Sequence, residues 1–203
     1  PVYSQTSLTF LSGEQMLSGH KVNLHPHGPY LKKREWEKVL KAHDYVMSAV
    51  GETLGFYLRP LDQHNRPEMM NTLFHALLWF YEGCREPVTT LAIVKFASAM
   101  DALACGGKSP GILNLVNAQL GKSGDDRLFV DGTTAKNAVD KIYNYARSRT
   151  LHGSNDKIGE DWSKMRIQAE QLTRLCLLCC LDYAGKNPST SDPAVFSGQR
   201  SSQ

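Results

Sequence analysis

Apolar residues recur at steps of three and four along most of the chain between Pro29 and Gly185. This spacing follows the period of an α-helix and places the apolar side chains on one face of each helix. An alternating pattern, typical of a strand, occurs only in the short stretch YSQTSLTFL near the start. The pattern therefore predicts an all-α fold, a bundle of about five to six helices, with a short irregular or extended N-terminal segment.

Breaker residues divide this pattern into separate helices. Prolines suit the first turn of a helix, whereas a glycine commonly follows its last residue. We expect one long helix from Pro29 onward that ends before a loop over residues 59–67, and a final helix that has Gly185 at its C′ position. The other helices are predicted to start near Pro67, Pro87, Ser109–Pro110, Asp131 or Thr133, and Asp161.

The ends of the chain set the predicted boundaries. Residues 1–28 form an N-terminal extended or linker segment, residues 29–185 form the helical domain, and residues 186–203 form a polar, disordered tail. The length of 203 residues suits one domain with its own core. The chain begins with Pro1 in place of Met, which fits either a removed initiator or a fragment of a longer chain with an upstream domain.

The composition constrains the cellular environment of the protein more than it constrains the function. The net charge of +3 permits contact with RNA but does not argue for it, because dedicated nucleic-acid domains are usually far more basic. The five cysteines are unevenly spaced, which indicates buried thiols in a reducing compartment. No apolar run reaches the length of about 18 residues that a membrane span needs. The sequence therefore predicts a cytoplasmic protein without a membrane segment.

Several short motifs fail as functional sites. The tripeptide Gly-Lys-Ser occurs at 107–109 and 121–123, but a phosphate loop needs a glycine where the chain has Ala102 and Val116. Both tripeptides are interpreted as residues at which one helix ends or the next begins. The histidines near the N-terminus lack the spacing of metal ligands, and the Cys-x-x-Cys that begins at Cys176 lies among leucines within a helix. No metal and no cofactor are expected.

The stretch YARSRTLHG, at 145–153, carries more information. Its basic residues lie at a helix end, where cations are favourable, and Gly153 is an ordinary C′ residue. Arg149 and His152 are three positions apart and share a helix face. Arg147 and His152 are five apart, about 140° around an ideal helix. We therefore expect the helix to break between these two residues, or a second chain to complete the site.

The arrangement of an arginine, a polar residue, three further residues and a histidine resembles the HEPN superfamily of helical RNA-associated domains. The pattern around Arg147 and His152 is similar to its ApeA-like branch in particular. The stretch VTTLAIVKFASAMDALACGG, at 88–107, resembles an earlier helix of that branch, in which an acidic residue precedes Ala-Leu. Two positions depart from the pattern, since Ser148 replaces the usual Asn, Asp or His, and Asp101 stands where Glu is more common.

The resemblance implies a metal-independent endoribonuclease that acts as a homodimer with a composite active site. It implies His152 as the acid/base and Arg147 as the phosphate clamp, with Asp101 pairing with Arg147. Arg149 would bind the RNA backbone, and Ser148 would orient His152 or a phosphate. Attack by the RNA 2′-hydroxyl would leave a 2′,3′-cyclic phosphate and a 5′-hydroxyl. The setting implied by the ApeA-like branch is bacterial anti-phage defence or toxin-like growth arrest.

Two other functions remain open at this point. The chain could be a non-catalytic HEPN-like module for dimerisation or for binding RNA or a partner protein, a role to which the uncharged Ser148 is suited. It could also be a plain structural bundle within a larger protein.

Overall fold

The computed structural model describes residues 4–12, 15–23, 33–59, 63–154 and 159–198. The chain divides into two units, Pro1–Ala42 and His43–Gln203. The first unit contains two strands, β1 (Ser4–Ser12) and β2 (Gln15–Asn23), which pair antiparallel from Ser4 opposite Asn23 to Ser12 opposite Gln15. Helix α1 (Lys33–Ala42) belongs to the same unit.

The described residues of the second unit are helical apart from their connecting loops and one isolated β-bridge, which confirms the predicted all-α class there. Its helical segments are α2 (Asp44–Leu58), α3 (Pro67–Arg85), α4 (Thr89–Leu103), α5 (Lys108–Leu120), α6 (Ala135–Val139), a π-helix (Asp140–Ser148), α7 (Arg149–Leu151), α8 (Ser163–Lys186) and a 3-10 helix (Pro193–Ser197).

The prediction of one long helix from Pro29 to the loop at 59–67 is wrong, because the chain leaves helical geometry at His43, with φ −115°. The first part of that prediction, residues 29–32, lies outside the described residues. The spacing of the apolar residues does not reveal a break of a single residue, because α1 and α2, on either side of it, have the same helical period. The division between the two units falls at this break, whereas the sequence analysis places the domain boundary after residue 28.

Helix α4 is the centre of the second unit, where it packs against α3, α8 and the π-helix. Gly83 of α3 allows this packing, because a Cβ atom there would lie 2.7 Å from the ring of Phe96. Gly185 has a similar role and is not the predicted C′ residue: it lies within α8, where a side chain would overlap the Tyr45 carbonyl. The largest fully buried side chains include Phe96, Phe196, Met69, Met70, Leu73, Ile93, Met100, Leu103, Ile112, Leu115, Ile142 and Leu172.

A buried arginine ties α2, the start of α3 and the end of α8 together. The Arg66 guanidinium forms an ion pair with Glu52 and donates to the carbonyls of Ala184 (2.9 Å) and Asn187 (3.0 Å). These carbonyls lie at the end of α8, where the helix leaves them without partners of its own. The buried charge is thus paired and hydrogen-bonded, as a buried charge must be.

The segment after α8 is folded as far as Gly198, although the sequence analysis assigns residues 186–203 to a disordered tail. The 3-10 helix inserts Phe196, fully buried, beside Tyr183, and the Gln119 amide donates to the Phe196 carbonyl at 2.8 Å. A single aromatic residue in a polar segment is a weak sequence signal. Its burial depends on a gap that other helices create.

Within the described residues, no single helix has both the length and the apolar character to cross a bilayer. Helices α4 and α5 meet those limits only as a pair, and that pair is bent by 70°.

Candidate functional site

A surface cleft of about 520 Å³ lies between the start of α5 and the π-helix. We call it the Arg147 cleft, because Arg147, Ser148 and His152 of the sequence motif all line it. The remaining walls include Lys108, Ser109, Asp140, Tyr143 and Asn144. Arg147 and His152 therefore share one cleft within a single chain.

This juxtaposition bears on the two alternatives drawn from the ideal helix angle, a helix break between Arg147 and His152 or completion of the site by a second chain. The helix does not break between Arg147 and His152, since the π-helix continues directly into α7. In a π-helix the backbone bonds reach five residues back, so each turn contains more residues than an α-turn. Arg147 lies in the last turn of the π-helix, whereas Ser148 and Arg149 have α-helical φ and ψ angles and the His152 amide donates to the Ser148 carbonyl at 3.0 Å.

His152 lies at the C-cap of α7, where the helix closes with a Schellman motif. The amide of Ser154 donates to the Arg149 carbonyl (2.9 Å), and that of Gly153 donates to the Thr150 carbonyl (3.3 Å). Gly153 has φ +67°, a left-handed conformation that favours glycine. The predicted helix end is confirmed at Gly153, after His152 and not before it.

Arg147 is held by side chains from two elements. Its Nη1 donates to the Tyr143 hydroxyl at 3.1 Å, and its Nη2 lies 3.6 Å from Asp101 Oδ2. The guanidinium carbon also lies 4.7 Å from the centre of the Tyr143 ring, within cation–π range. A guanidinium has more N–H groups than these contacts use, so it retains donors for an anion in the cleft.

The Asp101 carboxylate organises this side of the cleft. It accepts the backbone N–H of Lys108 at 2.9 Å and the hydroxyl of Tyr143 at 3.3 Å. Burial raises the pKa of Tyr143, and the negative charge of Asp101 raises it further, whereas Arg147 opposes the shift. Tyr143 therefore stays protonated at neutral pH, donates to Asp101, and accepts from Arg147.

The His152 imidazole differs from the arginine in its surroundings. The side chain is exposed at the edge of the cleft, and it has no hydrogen-bond partner among the residues that the structure describes. Ser148 is partly buried in the same wall. The geometry thus brings Arg147 and Asp101 into a fixed pair and leaves His152 accessible to a ligand.

Arg149 lies on a different side of the segment. Its guanidinium carbon is 4.5 Å from the centre of the Tyr145 ring, and Tyr145 stacks on Trp162 with ring centres 5.8 Å apart. Tyr145 lines a second cleft of about 570 Å³, which we call the Tyr145 cleft, together with Asp140, Lys141, Glu160 and Met165. Among the described residues, Arg149 is therefore not one of those that line the Arg147 cleft with Arg147, Ser148 and His152.

Sequence reasoning missed several cleft residues. Tyr143 stands four positions before Arg147, a spacing that places two helical side chains together and could have identified it. Asp140 accepts hydrogen bonds from Ser109 and Asn144, both at 3.1 Å. Lys108 and Ser109 belong to the first Gly-Lys-Ser tripeptide, and they line the cleft although that tripeptide is not a phosphate loop.

Metal and thiol chemistry find little support in the described part of the chain. No group of three or more His, Cys, Asp or Glu side chains comes together there as a metal site. Burial raises the pKa of Cys176 to about 12, and it also raises the pKa of Cys180. Both thiols face the core and are poor nucleophiles, as the sequence analysis expects for this Cys-x-x-Cys.

Comparison of the chain with models of protein families, with curated proteins and with solved structures finds no match.

Proposed function

We propose that the protein is a metal-independent endoribonuclease of the HEPN type, acting in the cytoplasm. One observation carries the proposal: Arg147 and His152, the two residues of the motif, line the same cleft of about 520 Å³. Support also comes from Asp101 and Tyr143, which hold the arginine in place. The cleft combines a fixed cation with an accessible imidazole, which are two of the groups that RNA cleavage by transesterification uses.

The chemistry uses the nucleophile that RNA itself carries. The His152 imidazole takes the proton of the 2′-hydroxyl, the 2′-oxygen bonds to phosphorus, and the bond from phosphorus to the 5′-oxygen breaks. Arg147 binds the non-bridging oxygens, where negative charge increases in the transition state. The leaving 5′-oxygen takes up a proton. The products are a 2′,3′-cyclic phosphate and a 5′-hydroxyl.

A homodimer would supply the second proton-transfer group. Among the described residues, His152 is the one histidine that lines the Arg147 cleft, and the reaction needs both a base and an acid. A two-fold axis beside the cleft would place His152 of the partner subunit against it, so that one imidazole serves each role. The resemblance to the ApeA-like branch suggests anti-phage defence or toxin-like growth arrest as the biological setting.

The decisive experiment is the incubation of purified protein with a mixed RNA pool, with and without EDTA, followed by mapping of the cleaved ends. We expect cleavage that persists in EDTA, leaves cyclic phosphate ends, and is lost in His152→Ala and Arg147→Ala. Arg149→Ala is the matched control, because this arginine lies in the same motif but outside the Arg147 cleft. Equal cleavage by the wild type and the His152→Ala variant would remove the catalytic proposal.

The dimer has its own test. Light scattering under cleaving conditions should give the mass of two chains, and a strict monomer that still cleaves RNA would eliminate the shared-cleft arrangement.

A second candidate is a non-catalytic module that binds RNA or a partner through the same cleft. The lack of an orienting partner for the His152 imidazole among the described residues favours it, because a catalytic histidine is usually held by a third group. This candidate predicts RNA binding that depends on Arg147, with no cleavage products from the wild-type protein.

A further inference from the structure

Lys108 has a backbone conformation that lysine rarely adopts. Its φ is +55°, in the left-handed region, and it follows two glycines, the first of which has φ +75°. Non-glycine residues in this region are strained and persist only where the surroundings hold them. Here the Lys108 amide is held by its hydrogen bond of 2.9 Å to Asp101. That bond uses only the backbone, so it does not explain why the residue is a lysine.

Lys108 lines the Arg147 cleft from the start of α5, whereas Arg147 lines it from the π-helix. Lys108 is exposed, and its ammonium forms no ion pair with any residue that the structure describes. By contrast, Arg147 is paired with Asp101 in the same cleft. The cleft therefore contains two cations from different elements, one fixed in position and one free to follow a ligand.

The size of the cleft allows both cations to act on one ligand. A volume of about 520 Å³ lies within the range of pockets that enclose ligands much larger than a phosphate group. An RNA strand presents successive phosphates joined by riboses. A lysine is suited to such a second phosphate, because its flexible point charge does not demand the bidentate geometry of an arginine.

We infer that Lys108 binds a phosphate adjacent to the one that Arg147 holds, so that the cleft engages at least two successive phosphates of an RNA strand. The inference rests on the proposed function, since it concerns the substrate of the same cleft. It names a binding residue outside the Arg147–His152 motif.

The test is a binding assay with a short 2′-O-methyl oligoribonucleotide, which lacks the free 2′-hydroxyl needed for cleavage. We expect Lys108→Met to weaken its binding about tenfold. The slope of log affinity against log salt concentration should also fall by about 0.7, the loss of one phosphate contact with a single strand. Lys122→Met is the matched control: Lys122 is exposed, belongs to the second Gly-Lys-Ser tripeptide, and does not line the cleft.

Two further variants separate binding from folding. Lys108→Gly suits the left-handed backbone and should keep or raise the thermal unfolding temperature, while it weakens RNA binding as much as Lys108→Met does. Lys108→Arg retains the charge and should keep most of the affinity. Loss of affinity in Lys108→Gly without loss of stability would show that the side chain acts on the ligand.

The outcomes distinguish this inference from the proposed function. If Lys108→Met and Lys122→Met bind within about twofold of each other and have equal salt slopes, the subsite is wrong, whether or not the wild type cleaves RNA. If the slope falls only in Lys108→Met but unmodified RNA stays intact, the subsite stands and the endoribonuclease proposal fails. A wild-type protein that binds no RNA overturns both.

Discussion

Two arginine–tyrosine pairs occupy the same helical segment, and in each the arginine follows the tyrosine by four positions. The guanidinium carbon of Arg147 lies 4.7 Å from the centre of the Tyr143 ring, and that of Arg149 lies 4.5 Å from the centre of the Tyr145 ring. Each tyrosine lines a cleft, of about 520 Å³ and 570 Å³ respectively, and Asp140 lines both. By local geometry the two pairs are nearly equivalent.

Their tertiary neighbours make them different. The first pair lies against α4, where Asp101 fixes both the arginine and the tyrosine hydroxyl, and its cleft also contains Lys108 and His152. The second pair stacks on Trp162, and its cleft is lined by Glu160 and Met165. The Tyr145 cleft has Asp140 and Glu160 against one lysine, Lys141, whereas the Arg147 cleft has two cations against Asp140. The balance of charge therefore favours a phosphate in the Arg147 cleft. The residues that pack around each pair, and not the Tyr-x3-Arg spacing, therefore determine which arginine is placed to bind an anionic substrate.

The largest expected effect separates the two arginines. Arg147→Ala should reduce the single-turnover rate of RNA cleavage by about 10²–10³, the usual cost of removing one group that stabilises transition-state charge. Arg149→Ala should leave that rate within about threefold of the wild type, because its pair faces the other cleft. Equal losses in the two variants would abolish the distinction between the clefts.

The next effect concerns Asp101, the carboxylate that pairs with Arg147. Asp101→Asn keeps the shape and an acceptor for Lys108 but removes the charge that orients Arg147, and we expect cleavage to slow about tenfold. Asp125→Asn, at an exposed position outside both clefts, is the control. An unchanged rate in Asp101→Asn would show that Arg147 does not depend on its ion pair.

A smaller effect is expected from the tyrosine hydroxyls. Tyr143→Phe keeps the ring beside Arg147 and removes two hydrogen bonds, the one accepted from Arg147 and the one donated to Asp101. This should lower the cleavage rate about fivefold, the equivalent of about 1 kcal/mol. Tyr145→Phe makes the same chemical change in the second pair and should have no effect on cleavage. Full activity in Tyr143→Phe would show that Arg147 is positioned without the Tyr143 hydroxyl, by contacts that include Asp101, Ser98 and the ring.

The smallest effect is a pH dependence. Because burial and then Asp101 raise the pKa of Tyr143, the folded protein holds this proton more tightly than the unfolded chain does. The resulting stability is complete below about pH 10, the ordinary value for a phenol, and is lost as the pH rises through the higher value of the folded state. Titration of the phenolate absorbance should show a late component that Tyr143→Phe removes. Asp101→Asn should shift that component to lower pH.

Much of the helical fold could be predicted, because the period of apolar residues is a local property of the sequence. Details that depend on a partner segment could not be predicted in the same way. The sequence pattern predicts a helix end at Gly185, but this glycine lies within α8 and packs against the Tyr45 backbone. Phe196 belongs to a segment that the sequence pattern predicts to be a polar tail, but its side chain is buried in the core. Both assignments depend on residues distant in sequence.

The site shows the same division. The motif predicted Arg147 and His152, and Gly153 predicted the helix end, since each signal lies within a few residues of the others. The π-helix was not predicted, because a change from four-residue to five-residue bonding leaves the apolar spacing almost unchanged. Lys108 belongs to a tripeptide that does not match a phosphate loop, so no sequence signal assigns it to a site. Its place beside Arg147 depends on how α5 packs near the π-helix.

The sequence by itself determined the helical class of the second unit, the helix end at Gly153, and the presence of an arginine, a serine and a histidine just before it. Tertiary packing determines which of the two nearby arginines lines the cleft with His152, and which side chains hold that arginine in place. Tyr143 and Asp101 are 42 positions apart, yet they share a hydrogen bond. Local spacing cannot encode such a contact, because it forms only when α4 packs against the π-helix and buries the residues between them.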